Sequence, residues 1–169
     1  MSVALDLGTR ASTDEADDLK GRYLVSLKLI ERLHRLLLDV IKDEFERLGR
    51  ADVNSVQALL LYNIGDAELT AGELTSRGYY LGSNVSYNLK KLVDAGYISH
   101  QRSKTDRRSV RVSLTDKGQE VCKVVNGLYH RQLKSLQQVG GLEPNDLETL
   151  NKALIRLERF WTDQIRYQL

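Results

Sequence analysis

Four cations and one acid crowd a single short stretch of this chain, SKTDRRSVRVSLTDKG at residues 103–118. Lys104, Arg107, Arg108 and Arg111 lie within residues 103–111, with Asp106 among them. Guanidinium and ammonium groups at this density suit a polyanion, because each can neutralise and hydrogen-bond a phosphate. Val110-Arg111-Val112-Ser113-Leu114 alternates apolar and polar as a strand does, and Thr115-Asp116 follows where a helix can start. Two readings compete. In one the stretch is a solvated turn in which Asp106 merely favours turn geometry. In the other it is a finger in which Asp106 orients Arg108 through a charge-assisted bond.

The residues before it decide between them. In LTAGELTSRGYYLGSNVSYNLKKLVDAGYI, Thr70-Ala71-Gly72-Glu73 has the capping-box spacing and opens a short helix. Gly78 and Gly82 bracket a tight turn, Ser83 or Asn84 can cap a further helix, and Gly96 is its left-handed stop. Tyr97–Arg102 and Ser109–Leu114 then read as two strands around the basic loop. Two short helices, a glycine-bounded turn and a basic hairpin make a winged helix-turn-helix. On the second of these helices Val85, Leu89, Leu92 and Val93 form a buried face. Ser83, Asn84, Ser86, Tyr87, Lys90 and Lys91 lie opposite. A recognition helix leads with its N-terminal residues into the major groove, which assigns Ser83, Asn84, Ser86 and Tyr87 to base edges and Lys90 and Lys91 to phosphates. The wing set is Arg102, Lys104, Asp106, Arg107, Arg108 and Arg111, with Arg108 the residue expected to enter a narrow minor groove.

Further elements must position these groups. Residues 1–18 hold four Asp, one Glu and one Arg with few large apolar groups, the composition of a mobile acidic tail. From about Asp18 to Leu48, apolar residues at 23, 27, 30, 37, 41 and 48, widened by 24, 33, 36, 40 and 45, describe a long amphipathic helix. A second helix follows through Val56, Leu59, Leu60 and Ile64, capped by Asn54 or Asp52 and stopped by Gly65. After the wing a helix runs to Val139, and Glu143-Pro144 opens the last, with Leu147, Leu150, Leu154, Leu157, Trp161 and Ile165 on one stripe. The outer helices carry more apolar surface than so small a winged helix covers, which predicts pairing across a two-fold axis that sets two recognition helices about 34 Å apart. An intrachain bundle is the alternative. The expected fold is mainly α with a small β-wing: a tail at 1–18, dimerisation helices at 19–48 and 116–169, and the DNA-binding domain at 52–115.

Composition narrows the function. Residues 70–118 hold nine Lys/Arg against four Asp/Glu, while the rest of the chain holds sixteen against nineteen. That is a local anion-binding footprint. No apolar run approaches the roughly 18 residues of a membrane span, and MSVALDLGTRASTDEADD is not patterned as a signal peptide. The single cysteine, Cys122, fits a reducing, cytoplasmic setting, and without a sequence-local basic activator it reads as structural. His34, His100 and His130 show no metal-ligand spacing, and no cofactor is implied. No glycine-rich phosphate loop, paired carboxylates or activated nucleophile points to an enzyme. The alternative to a DNA-binding regulator is a winged-helix protein-interaction module, which would need an apolar or acidic outer face where this one is polar and basic.

The motif DAGYI…RSKTDRRSVRVSLTDKG resembles the wing signature of the MarR family: an Asp-x-Arg turn at Asp106-Arg107-Arg108, branched residues Val110 and Val112, then Leu114-Thr115-Asp116-Lys117-Gly118 opening a helix. The resemblance extends over about residues 20–168. It implies a cytoplasmic homodimeric transcription factor on a palindromic DNA operator, most often a repressor, or a dual regulator, released by a small aromatic or lipophilic effector. His34, on the first helix's apolar stripe, is then either a buried or interface histidine or, with Leu60 and Ile64, part of an effector pocket between the first two helices. RGYYLGSNVSYNLKKLVDAGYI further resembles the LdtR-like subgroup, which implies control of cell-wall remodelling or stress genes.

Overall fold

Helix α1 runs Leu7–Arg47 in the computed structural model, which describes residues 7–76, 82–102 and 110–167. Its 41 residues make it about 60 Å long at roughly 1.5 Å per residue. The helix begins at Leu7 and not near Asp18, so residues 7–18 continue it where composition suggested a tail. Propagating a helix costs far less than starting one. Asp18 also pairs one turn on with Arg22, at 2.8 Å.

The chain divides into two compact units, Met1–Val125 and Asn126–Leu169, with the boundary inside a helix. In the first unit the C-terminal part of α1 packs on α2 (Ser55–Ile64), burying Ile41 and Phe45. Asn54, not Asp52, caps α2: the Gln57 N–H donates to Asn54 Oδ1 at 2.8 Å, and the Asn54 N–H donates to Gln57 Oε1 at 3.1 Å. Strand β1 (Leu69–Thr70) leads into α3 (Ala71–Ser76) through the expected capping box. The Thr70 N–H donates to Glu73 Oε2 at 2.6 Å and the Glu73 N–H to Thr70 Oγ1 at 3.1 Å. Helix α4 (Gly82–Asp94) starts one residue before its expected caps, so Ser83 and Asn84 lie in its first turn. Strands β2 (Ile98–Arg102) and β3 (Val110–Leu114) complete an antiparallel sheet of order β1-β3-β2. The register sets Leu69 against Val112, His100 against Val112 and Arg102 against Val110. Leu60, Leu61, Ile64, Leu69, Leu74 and Leu92 are fully buried, so this unit has its own closed core.

Helix α5 (Asp116–Gln138) crosses the unit boundary, and α6 (Pro144–Tyr167) lies in the second unit. Pro144 occupies the first helical position, as expected, and the Glu143 N–H donates to Asp146 Oδ2 at 2.9 Å. No residue of α6 is buried. Leu150, Leu154 and Ile165 of its predicted stripe are 47%, 38% and 81% exposed.

Candidate nucleic-acid interface

Helix α4 is amphipathic because its apolar residues recur every three or four positions. Leu89 and Leu92 face the core. Tyr87, Lys90 and Lys91 are exposed on the other side, and the Lys91 ammonium sits 4.5 Å from the centre of the Tyr87 ring. That contact holds a cation and an aromatic edge one helical turn apart, as a helix face reading phosphate and base would need. Ser83, Asn84 and Ser86 are placed on the N-terminal half of the same helix by the backbone.

The C-terminus of α4 is closed by a Schellman arrangement. Gly96, at φ 79°, lets the Tyr97 N–H donate to the Leu92 carbonyl at 2.8 Å. Tyr97 therefore ends the recognition helix and immediately precedes the wing. It also receives α5. The Thr115 N–H donates to the Tyr97 carbonyl at 3.1 Å, and the Thr115 hydroxyl donates to the Gly96 carbonyl at 2.7 Å. A Cβ on Gly118 would stand 2.3 Å from that same Tyr97 oxygen. The Leu-Thr-x-x-Gly pattern thus has a packing reason: α5 approaches the α4–β2 junction too closely for any side chain at residue 118.

The Tyr97 ring is buried, with the Lys117 ammonium 4.2 Å above it. Its hydroxyl donates to Asp52 Oδ2, in the connection between α1 and α2. Arg50 holds the same carboxylate from the other side, Nε at 3.2 Å from Oδ1 and an Nη at 2.8 Å from Oδ2, and lies over the Phe45 ring. Arg50's hydrogen bonds, reinforced by the phenol and opposed by burial, hold the Asp52 carboxyl well below the usual carboxylate range. Burial and the Asp52 bond push the Tyr97 phenol up to about 12. Sequence reasoning missed this group. The available signal was a tyrosine in an otherwise apolar slot directly after the stop glycine, which needs a buried partner for its hydroxyl.

On the wing, Arg102 and Arg111 are placed at the ends of β2 and β3. Arg111 is half exposed and 3.8 Å from Glu68, a loose pair that leaves its guanidinium available at the surface. Lys104, Asp106, Arg107 and Arg108 lie outside the described residues, as do Tyr79 and Tyr80. The expected effector residues are not on one surface. His34 is exposed on α1, whereas Leu60 and Ile64 are closed in the core. Neither the cleft lined by Phe45, Arg50 and Val53 nor the one lined by Val25, Leu29 and Arg32 includes them. Cys122 donates its thiol to the Leu61 carbonyl at 3.2 Å, and burial followed by the Asp66 charge pushes it up to about 11, which makes it a poor nucleophile. Among the described residues no group of three or more His, Cys, Asp or Glu could hold a metal, and no helix is long and apolar enough to cross a membrane.

A recognition helix, an antiparallel wing and the helices around them define the class: a winged helix-turn-helix DNA-binding protein of transcription regulation. The family model for a winged helix DNA-binding domain matches residues 53–118. The chain is 36% identical over 161 residues to the exopolysaccharide II synthesis transcriptional activator ExpG of Rhizobium meliloti (strain 1021), covering 95% of this chain and 82% of that protein. In fold it is similar to the MarR protein of Peptoclostridium difficile (TM-score 0.69, 17% identity, 85% of this chain and 91% of that one). It is also similar to FabT of Streptococcus pneumoniae in complex with DNA (TM-score 0.61, 21% identity, 84% and 98%). The chain belongs to the family of the transcriptional activator ExpG, with a winged helix DNA-binding domain, and its fold is that of the MarR regulators.

Proposed function

We propose that the protein acts as a cytoplasmic homodimer on a palindromic operator and changes its affinity when a small aromatic or lipophilic effector binds. In this reading residues 19–48 and 116–169 dimerise and residues 52–115 read DNA. Ser83, Asn84, Ser86 and Tyr87 contact base edges, and Lys90, Lys91, Lys104, Arg107 and Arg111 contact phosphates. Arg108, oriented by Asp106, enters the minor groove, and Arg102 supports the wing base. The observation that carries the reading is the exposed apolar surface on α1 ahead of Leu37 and along α6. Leu29, Leu33 and Leu36 on α1 are 39%, 57% and 50% exposed, and no residue of α6 is fully buried. Exposed stripes of this length mark an association surface.

Repression is the mode the family resemblance favours, and the activator name carried by ExpG supports activation at some promoters, hence a dual regulator. The same relative directs the expected targets towards exopolysaccharide-synthesis genes. The LdtR-like placement, which rests on residues 77–98, directs them towards cell-wall remodelling and stress genes. The test is selection of genomic DNA by the purified protein. A recovered palindrome supports the reading and names the targets; enrichment of asymmetric sites, or none, overturns it. Arg108→Ala should then weaken binding to the recovered site by about tenfold or more while the protein still folds and dimerises.

A further inference from the structure

The interface residues account for contact with DNA but not for how rigidly those residues are carried. A side-chain bond joins the α4–β2 junction to the α1–α2 connection: the Tyr97 hydroxyl donates to Asp52. Helix α4, strand β2 and the start of α5 meet at Tyr97. Its N–H closes α4, its carbonyl takes the Thr115 N–H, its ring lies under Lys117, and the wing strand begins at the next residue. Asp52 in turn is held by two bonds from Arg50, three residues past the end of α1, which stacks on Phe45 of that helix. Packing of an apolar ring fixes where residue 97 sits, but it leaves rotation of the junction about the ring softly determined. A directional bond to a doubly anchored carboxylate removes that freedom.

The geometry points to Tyr97, with Asp52 and Arg50, as the positioning group that locks the recognition helix and wing to α1 and thereby sets the spacing of half-sites the dimer accepts. This rests on the dimeric, palindrome-binding reading above. Neither group changes charge near neutrality, so the tether is permanent and not a switch. Tyr97→Phe keeps the ring, the Schellman closure and the Lys117 contact, and removes only the bond. Asp52→Asn keeps an acceptor for the hydroxyl but loses the ion pair with Arg50.

The experiment measures affinity for the selected operator and for versions with one base pair inserted or removed between half-sites, in wild type, Tyr97→Phe and Asp52→Asn. In parallel, a spin label is placed on each protomer at Asp94→Cys in a Cys122→Ser background. This residue is exposed at the end of α4, and the label reads the separation of the two recognition helices without DNA. The expected result is roughly a tenfold loss of cognate affinity in Tyr97→Phe. Discrimination against altered spacing should shrink to within about threefold, the distance distribution should broaden, and Asp52→Asn should fall between. A purely stabilising tyrosine would lower the melting temperature but leave both the spacing preference and the distance distribution unchanged, and that outcome overturns the inference. A wild-type protein that binds no palindrome and gives no inter-protomer distance overturns instead the functional reading, and the tether's role in spacing with it.

Discussion

Two regions of the chain use their apolar residues differently. In the winged-helix portion, Leu60, Leu61, Leu74, Leu92 and Tyr97 are closed in a core, and each short helix is tied off by a specific cap or stop. Helix α6 has an equally regular apolar periodicity, yet none of its residues is fully buried, Leu147, Leu157 and Trp161 being only half-buried. Amphipathic pattern alone therefore does not say what covers a stripe. Within one chain, the short elements are folded by their own contacts, while the long helices present apolar surface to water.

The contrast is broken most directly by making the same change in both places. Leu60→Asp should abolish folding, because an unpaired carboxylate in a closed core costs more than about 4 kcal/mol. Leu154→Asp should leave the winged helix folded and shift the protein from dimer to monomer. Circular dichroism and light scattering at micromolar concentration read both, and a Leu154→Asp dimer would show that α6 is not the association surface. Next in size is Gly118→Ala. With a Cβ otherwise 2.3 Å from the Tyr97 carbonyl, the α5 start must shift, and urea unfolding should report a loss of about 2–4 kcal/mol.

A smaller effect separates contact from support on α4. Lys91→Ala should leave stability within about 0.5 kcal/mol and lower the slope of log affinity against log salt by about 0.9 per lost phosphate contact, near 1.8 for a dimer. The smallest signature is at high pH. The Tyr97 phenol, raised from 10.0 to about 12, holds its proton more tightly in the folded state. Its contribution is therefore whole below pH 10 and is lost as pH rises toward 12. The stability difference between wild type and Tyr97→Phe should be flat from pH 5 to 9 and shrink above 10. Asp52, depressed on folding, acts oppositely, its contribution holding through neutrality and fading only below about pH 4.

Much of the fold was legible because its signals are local. The Thr70–Glu73 box, the Gly96 stop, the strand alternation of Val110–Leu114 and Pro144 at a helix start each act over three or four residues, and each stands where it was expected. The start of α1 was misjudged because residues 7–18 are poor in apolar groups. A helix already nucleated downstream extends through such a segment without needing them. Asp52 was read as a candidate cap because a short acid before a helix usually is one. Asn54 took that role, and Asp52 faces Tyr97 instead. Periodicity likewise assigned His34, Leu60 and Ile64 to apolar stripes without saying how deep each lies: His34 is exposed on α1, whereas Leu60 and Ile64 lie in the core.

By itself, the sequence determined the order of the helices and of the two wing strands and the apolar side of the recognition helix, since these follow from residue type and spacing along a few turns of chain; the third strand, Leu69–Thr70, exists only through its pairing with β3. Only the tertiary structure decided that the recognition helix, wing and α5 meet at one tyrosine, that its hydroxyl reaches a carboxylate across a separation of 45 residues, and that Gly118 is required by a carbonyl on another element. Those are properties of chain closure. No local pattern encodes which distant groups the closing of a core brings within hydrogen-bond reach.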